Sequence, residues 1–360
     1  LPDGYEYPDG QLPPDPENID EIIEALAQPR PSLSPSCFSS DDFREFKRAN
    51  NHAAKERQVI KTVIPIIEGD IGDAKCAAGE VPFTNLDYLT DGTLVPGNPD
   101  LYHGARPEQL DRRIREELSG RIVPSTQDDL PVAPNFFVEV KGPDGQAAVA
   151  KRQINYDMAL GERGHAALLA YGEPEPTYNN HAHTLGCTYV DGTLKIYATH
   201  PIQPSKPGAQ PGYVMTQVDS WSLTGNPKAF REGATAYRNG RDWAKRQRNQ
   251  AIAHANKRAP DQHLVVCLPE GGLGMGVLSE ASAAETAELT SQTTFTNLGS
   301  NAPSVHDSDT SADELSLDHR PPDKRKKGLG KILTTRPSGF LRESPDGQSH
   351  PASHKQGDIG

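Results

Sequence analysis

The sequence predicts an α/β domain with a central mixed sheet flanked by helices, set between two polar arms. Three observations predict it. Long helix-period segments alternate with short apolar runs, an order that suits a sheet covered by helices. Most aromatic residues fall between about residues 41 and 260 of the 360. The two ends are rich in Pro, Ser, Thr and Asp, so they lack the apolar surface that offsets chain entropy. The expected division is a mostly disordered arm at 1–40, an α/β domain at 41–260 and a disordered tail at 261–360.

Taken in order, the arm holds one short helical stretch at 18–26. The segment 41–60 reads as a charged helix with Ser40 or Asp41 as its cap. It runs into the apolar 59–67, where Pro65 ends it or opens a new segment. Asp91-Gly92 and Asp191-Gly192 each sit between short apolar runs and read as type I′ hairpin turns, both central positions needing positive φ. Helices are expected at 106–118, at 147–169 with an interruption near Gly161, and at 227–258, where Asn226 caps and Pro227 opens the first turn. The run "NFFVEVKG" at 135–142 reads as a largely buried strand.

Composition excludes several classes. Only 34% of residues are hydrophobic and no apolar run is long enough to cross a membrane. Cys37, Cys76, Cys187 and Cys267 are scattered without ligand spacing, which argues against a disulfide scaffold or a zinc ribbon and for a reducing, intracellular setting. The chain starts at Leu1 with no leader and no initiator Met, as a fragment would. Net charge is −12, which read globally argues against nucleic acid. Locally the balance reverses. The 227–258 segment is strongly basic, and Arg238, Arg241, Lys245 and Arg248 fall at helical spacing as a stripe suited to the phosphates of DNA or RNA. Its alternative is a solvated helix paired with the acidic remainder. Trp243 on the same helix reads as a core anchor. The run "DKRKKG" around Lys324–Lys327 reads either as a nuclear-localisation signal or as a solvated cluster.

The chemistry concentrates in "PNFFVEVKGPDG". Strand side chains two apart share a face, so Glu139 and Lys141 project together from an apolar strand. Taken alone, such a pair is an ordinary strand-end salt bridge. Its neighbours add to it. Pro99-Asp100 can bring a second carboxylate to Glu139, and two converging carboxylates repel unless a divalent cation neutralises them. Asp128 or Asp129, nearer in sequence, is the alternative partner. Gln153 and Tyr156 share a helix face downstream, with Lys151 and Arg152 adding positive charge. Glu56, on the helix upstream, can supply a further acid. His181 and His183 form an H-x-H pair, half of a zinc site with no third ligand in reach. The run "GGLGMG" near Gly271 lacks the helix a phosphate loop needs and reads as linker.

A helix with Glu, a Pro-Asp, an E-x-K strand and a helix carrying Gln together resemble the PD-(D/E)xK nuclease superfamily. The blocks "NPDLYHGA", "APNFFVEVKGPDG", "AKRQINYD" and "FREGATAYRNGRDWAKRQRNQAI" also resemble an uncharacterised fungal family, domain of unknown function 7924. The resemblance implies a restriction-endonuclease-like core and a hydrolase acting on phosphodiesters. In that pattern Asp100 and Glu139 hold Mg²⁺ or Mn²⁺, Lys141 assists the attacking water, and Gln153 supports them. Glu56 matches the first-helix acid loosely. A lysine beside the metal is expected to have a lowered pKa. Folds of this kind also occur without catalysis, so the alternative is an inactive nucleic-acid-binding or protein-interaction module.

Overall fold

The computed structural model describes residues 1–174, 176–204, 206 and 208–259. The expected tail, with Cys267, the glycine-rich run and the Lys324–Lys327 cluster, lies outside the described residues.

Six strands form one mixed sheet, ordered in space as they are in sequence: β1 (Ala77–Ala78), β2 (Leu101–Ala105), β3 (Val132–Lys141), β4 (Thr184–Val190), β5 (Thr193–Ile202) and β6 (Gly212–Ser222). Every neighbouring pair is antiparallel except β3 and β4, which are parallel. Parallel neighbours need a long crossover, and α7 (Ala147–Leu169) supplies it. The hairpin at Asp191-Gly192 forms as the sequence predicts, with φ of 47° and 73°. It brings Val190 opposite Thr193. Asp91-Gly92 forms no hairpin. There the Asp91 carboxylate accepts from the Thr93 amide at 3.1 Å and its hydroxyl at 2.7 Å. That local turn satisfies the chain without pairing the flanking runs.

Helices cover both faces. All ten residues of β3 are buried. Phe137 packs with Ile154 and Met158 of α7. Phe136, Val138 and Val140 join the cluster on the other face with Phe230, Ala234 and Tyr237 of α8 (Pro227–Arg258). The helix α7 runs unbroken through Gly161, where a Cβ would stand 2.5 Å from the Phe137 ring. Glycine here permits close helix–sheet contact rather than interrupting the helix. Asn226 caps α8, accepting from the Ala229 amide at 2.9 Å.

Three expectations change. Residues 41–60 are two helices, α2 (Ser40–His52) and α3 (Glu56–Thr62). Ser39 caps the first in a capping box with Asp42, and Gln58 reaches back to the Ala54 amide at 2.7 Å across the break. Only Arg112–Glu117 (α5) and Ser119–Ile122 (α6) are α-helical within the region that includes 106–118, because Asp111 rather than Arg106 caps the first of them. The first forty residues are packed, not disordered. Their helix α1 (Ile19–Ala27) buries Ile22 and Leu26, and Leu33 follows. Asn18 exchanges two 2.9 Å hydrogen bonds with the backbone of Ala182. A few spaced apolar anchors hold a segment whose average composition is polar. Between α3 and β1, the short α4 (Ile64–Glu68) has Pro65 in its first turn.

Candidate active site

Glu139 and Lys141 stand two apart at the end of β3, on the face that α7 covers. Their exposures are 1% and 4%. The Lys141 ammonium lies 3.1 Å from a Glu56 oxygen and 3.8 Å from a Glu139 oxygen. Glu56 opens α3, and that helix can start here because Gly142 follows β3. A Cβ at Gly142 would stand 2.9 Å from the Glu56 amide nitrogen. Asp100 immediately precedes β2. The pairing of Leu101 with Val138 carries it alongside Glu139, and its Oδ2 accepts from the Val140 amide at 2.6 Å. Asp128 and Asp129 are exposed in the turn before the opposite end of β3, so Asp100 is the acid that reaches Glu139.

The helix α7 adds a residue that sequence reasoning missed. Asp157 is 2% exposed and shares a hydrogen bond with Glu139. It stands one turn beyond Gln153, with which it lines a small cavity beside Asn98. The signal was available: positions four apart share a helix face, so Gln153 points to Asp157 as well as to Tyr156.

The electrostatics follow from burial. Desolvation drives the Glu139 carboxyl well above the usual range, and the charges of Asp100 and Asp157 push it further. Burial also raises Asp157 to about 8. It raises Asp100 to about 7, with Lys141 opposing and Glu56 adding. Burial alone lowers Lys141, but Asp100, Glu139 and Glu56 together outweigh it and the net shift is upward. Without a cation, then, burial favours the neutral forms of Asp100, Glu139 and Asp157 while Lys141 is held charged, the reverse of the lowered lysine expected beside a metal.

Among the described residues no group of three or more His, Cys, Asp or Glu side chains is arranged to hold a metal ion. The donor chemistry does suit a hard cation. Glu139 Oε1 and Gln153 Oε1 are buried acceptor oxygens without a hydrogen-bond partner. Mg²⁺ takes one or two carboxylates and keeps waters for its remaining positions.

The basic stripe is not a solvent-facing surface. Arg238 donates to the carbonyls of Ile66 and Ile67 at 3.0 and 2.9 Å. Arg241, buried, donates to those of Glu68 and Asp70, both at 3.0 Å. Arg248, also buried, donates to Asn135 Oδ1 at 2.5 Å and the His103 carbonyl at 3.3 Å. Carbonyls at the end of α4 and beside β2 absorb these guanidiniums, and of the four only Lys245 is exposed. Trp243 is a core anchor, as expected. The H-x-H pair splits: His183 gives its ring to Glu162, while the His181 amide donates to Asn179. No helix among the described residues is long and apolar enough to cross a membrane. Comparison with family models, with curated proteins and with solved structures finds no match to this chain.

Proposed function

We propose that the cluster at the end of β3 is a divalent-cation-dependent phosphodiester hydrolysis site of the PD-(D/E)xK type, acting on DNA or RNA. The observation that carries this reading is convergence. Glu56, Asp100 and Glu139 come from three separate elements to surround Lys141, with Gln153 and Asp157 on the crossover helix behind them. The order of elements also favours a restriction-endonuclease-like core: a helix bearing an acid, three antiparallel strands, a crossover helix and a parallel fourth strand.

In this reading Asp100 and Glu139 hold Mg²⁺ or Mn²⁺, with Glu56 as a further acid. The ion supplies an acidified water and positive charge for the phosphoryl oxygens. Lys141 keeps its ammonium fixed between Glu56 and Glu139, where it orients the water and offsets charge developing on phosphate. Gln153 offers its carbonyl oxygen to the same space. Asp157 holds the Glu139 carboxyl in place through their shared hydrogen bond.

One observation favours a second reading, a non-catalytic interaction module. Glu139 and Lys141 are almost wholly covered, as in an ion-pair cluster that serves the fold alone. Cleavage of single- and double-stranded DNA and RNA with Mg²⁺ or Mn²⁺ separates the two. Glu139→Ala and Lys141→Ala are expected to lose about 100-fold or more of the activity. Equal rates in wild type and both variants would place the activity elsewhere. A folded wild type that cleaves none of the four polymers would leave the second reading standing.

A further inference from the structure

A second pocket lies at the far end of α7, walled by α6, the last turns of α7, the chain before β4 and the ends of β5 and β6. Its charge is unusual. Arg163 is 8% exposed, and its Nη atoms reach only carbonyls, those of Tyr88 at 3.2 Å and Gly120 at 3.5 Å. Its Nε is buried with no partner at all. Arg121 lines the same wall, exposed, and among the described residues it has no ion-pair partner.

The acids on this wall are already taken. Glu162, fully buried, accepts from the His183 amide at 3.1 Å and ring Nδ1 at 2.9 Å. Glu173 pairs with Arg258. The guanidiniums left on this wall are those of Arg121 and Arg163, near enough that Arg121 disfavours the charge of Arg163, while Asp87 beside Gly120 partly offsets it. An anion set between two neighbouring guanidiniums favours the charge of both. Tyr178 and Tyr213 complete the wall, and both arginines act on the Tyr213 phenol. Tyrosine presents a flat apolar face with a hydrogen-bonding tip.

We propose that this pocket binds a phosphomonoester carried on a flat ring, a mononucleotide either free or at the end of a strand. The Arg121 fork together with the unpartnered Nε of Arg163 matches a dianionic phosphate better than a single carboxylate, since the phosphate offers three acceptor oxygens and about two charges. The ring lies along Tyr178 and Tyr213. The site is separate from the acid cluster and does not depend on the cleavage reading.

Titration calorimetry on the full chain, in chelator so that no divalent ion contributes, tests it. The probes are uridine and adenosine monophosphate, the matching nucleosides, inorganic phosphate, and a dinucleotide with and without a terminal phosphate. Saturable binding of the monophosphates is expected, tighter than that of nucleosides or inorganic phosphate and weakened about 10-fold or more in Arg121→Gln. Arg163→Lys keeps the charge but loses the fork and is expected to weaken binding as well. Arg121 is exposed, so its variant stays informative if the Arg163 variant fails to fold. Tighter binding of the phosphorylated dinucleotide assigns the pocket to a strand end, and the reverse order assigns it to a free nucleotide. No saturable binding of any phosphorylated probe at millimolar concentration overturns the proposal. So does equal affinity for nucleoside and nucleotide, or an Arg121→Gln variant that binds like wild type.

Discussion

Two clusters of buried charge flank the β2–β3 pair, one on each face, and they are finished differently. On the α8 face, Glu68 accepts from Tyr237 at 3.3 Å and pairs with the His103 ring at 2.7 Å, while Arg241 and Arg248 cap backbone and Asn135 oxygens. Every acceptor named there meets a donor. On the α7 face, Glu139 Oε1 and Gln153 Oε1 meet none. Burying a charged or polar group is costly unless it is met. The first cluster thus satisfies its acceptors and leaves one donor, the Arg248 Nε, over, whereas the second leaves two acceptors over. These two orphaned acceptors are the atoms that the proposed cation would meet.

The comparison can be broken by mutation. Arg248→Ala removes the donor that meets buried Asn135 Oδ1 and also reaches the His103 carbonyl, and is expected to cost about 3 kcal/mol or more of stability. Urea denaturation measures it, and a loss under about 1 kcal/mol would remove the claim that this joint is structural.

A smaller effect sharpens the contrast through pH. Asp100 and Asp157 have folded values raised to about 7 and about 8, against 3.8 for the unfolded reference. Between those limits the folded state binds more protons than the unfolded one. Stability therefore falls as pH rises through that window. Urea midpoints across the window, in chelator, should show the decline. Asp157→Asn should flatten it, and Mn²⁺ should restore stability at the alkaline end by binding only the folded state. A wild-type profile that rises with pH, or one that Asp157→Asn leaves unchanged, would contradict the assignment.

The smallest effect comes from the exposed member of the basic stripe. Lys245→Ala should change stability by no more than about 0.5 kcal/mol, in the same denaturation experiment that finds Arg248→Ala severe. A large loss in both would mean that exposure does not separate the two residues.

What the sequence revealed depended on whether the signal was local. Both long helices have the bounds that periodicity and the Asn226-Pro227 cap predict, because helix limits are set by neighbours in the chain. The Asp191-Gly192 hairpin was legible for the same reason. Asp91-Gly92 carries the same dipeptide, but a side chain two residues away offered its turn a competing partner. The arm was misjudged because average composition hides the few positions, Ile22, Leu26 and Leu33, that are buried. The spacing of Arg238, Arg241 and Arg248 was correct, and their environment was not. Nothing in the basic helix itself shows that carbonyls ending α4, far away in sequence, take up the guanidiniums. At the candidate site the alternation of β3 paired Glu139 with Lys141, while Asp157 required following α7 one turn past Gln153.

The crossover that makes β3 and β4 parallel has a consequence for transplanting the acid cluster. Glu56, Asp100, Glu139 and Asp157 belong to α3, the approach to β2, the end of β3 and the middle of α7. No segment shorter than 56–157 contains all four. Within that span their positions depend on β4, on the sheet beyond it and on Gly142 leaving room for α3. The cluster is therefore not a portable cassette. Copied onto another strand, the tripeptide from Glu139 to Lys141 would arrive as an ordinary salt bridge, since the scaffold that crowds carboxyls around the ammonium is distributed over the whole domain.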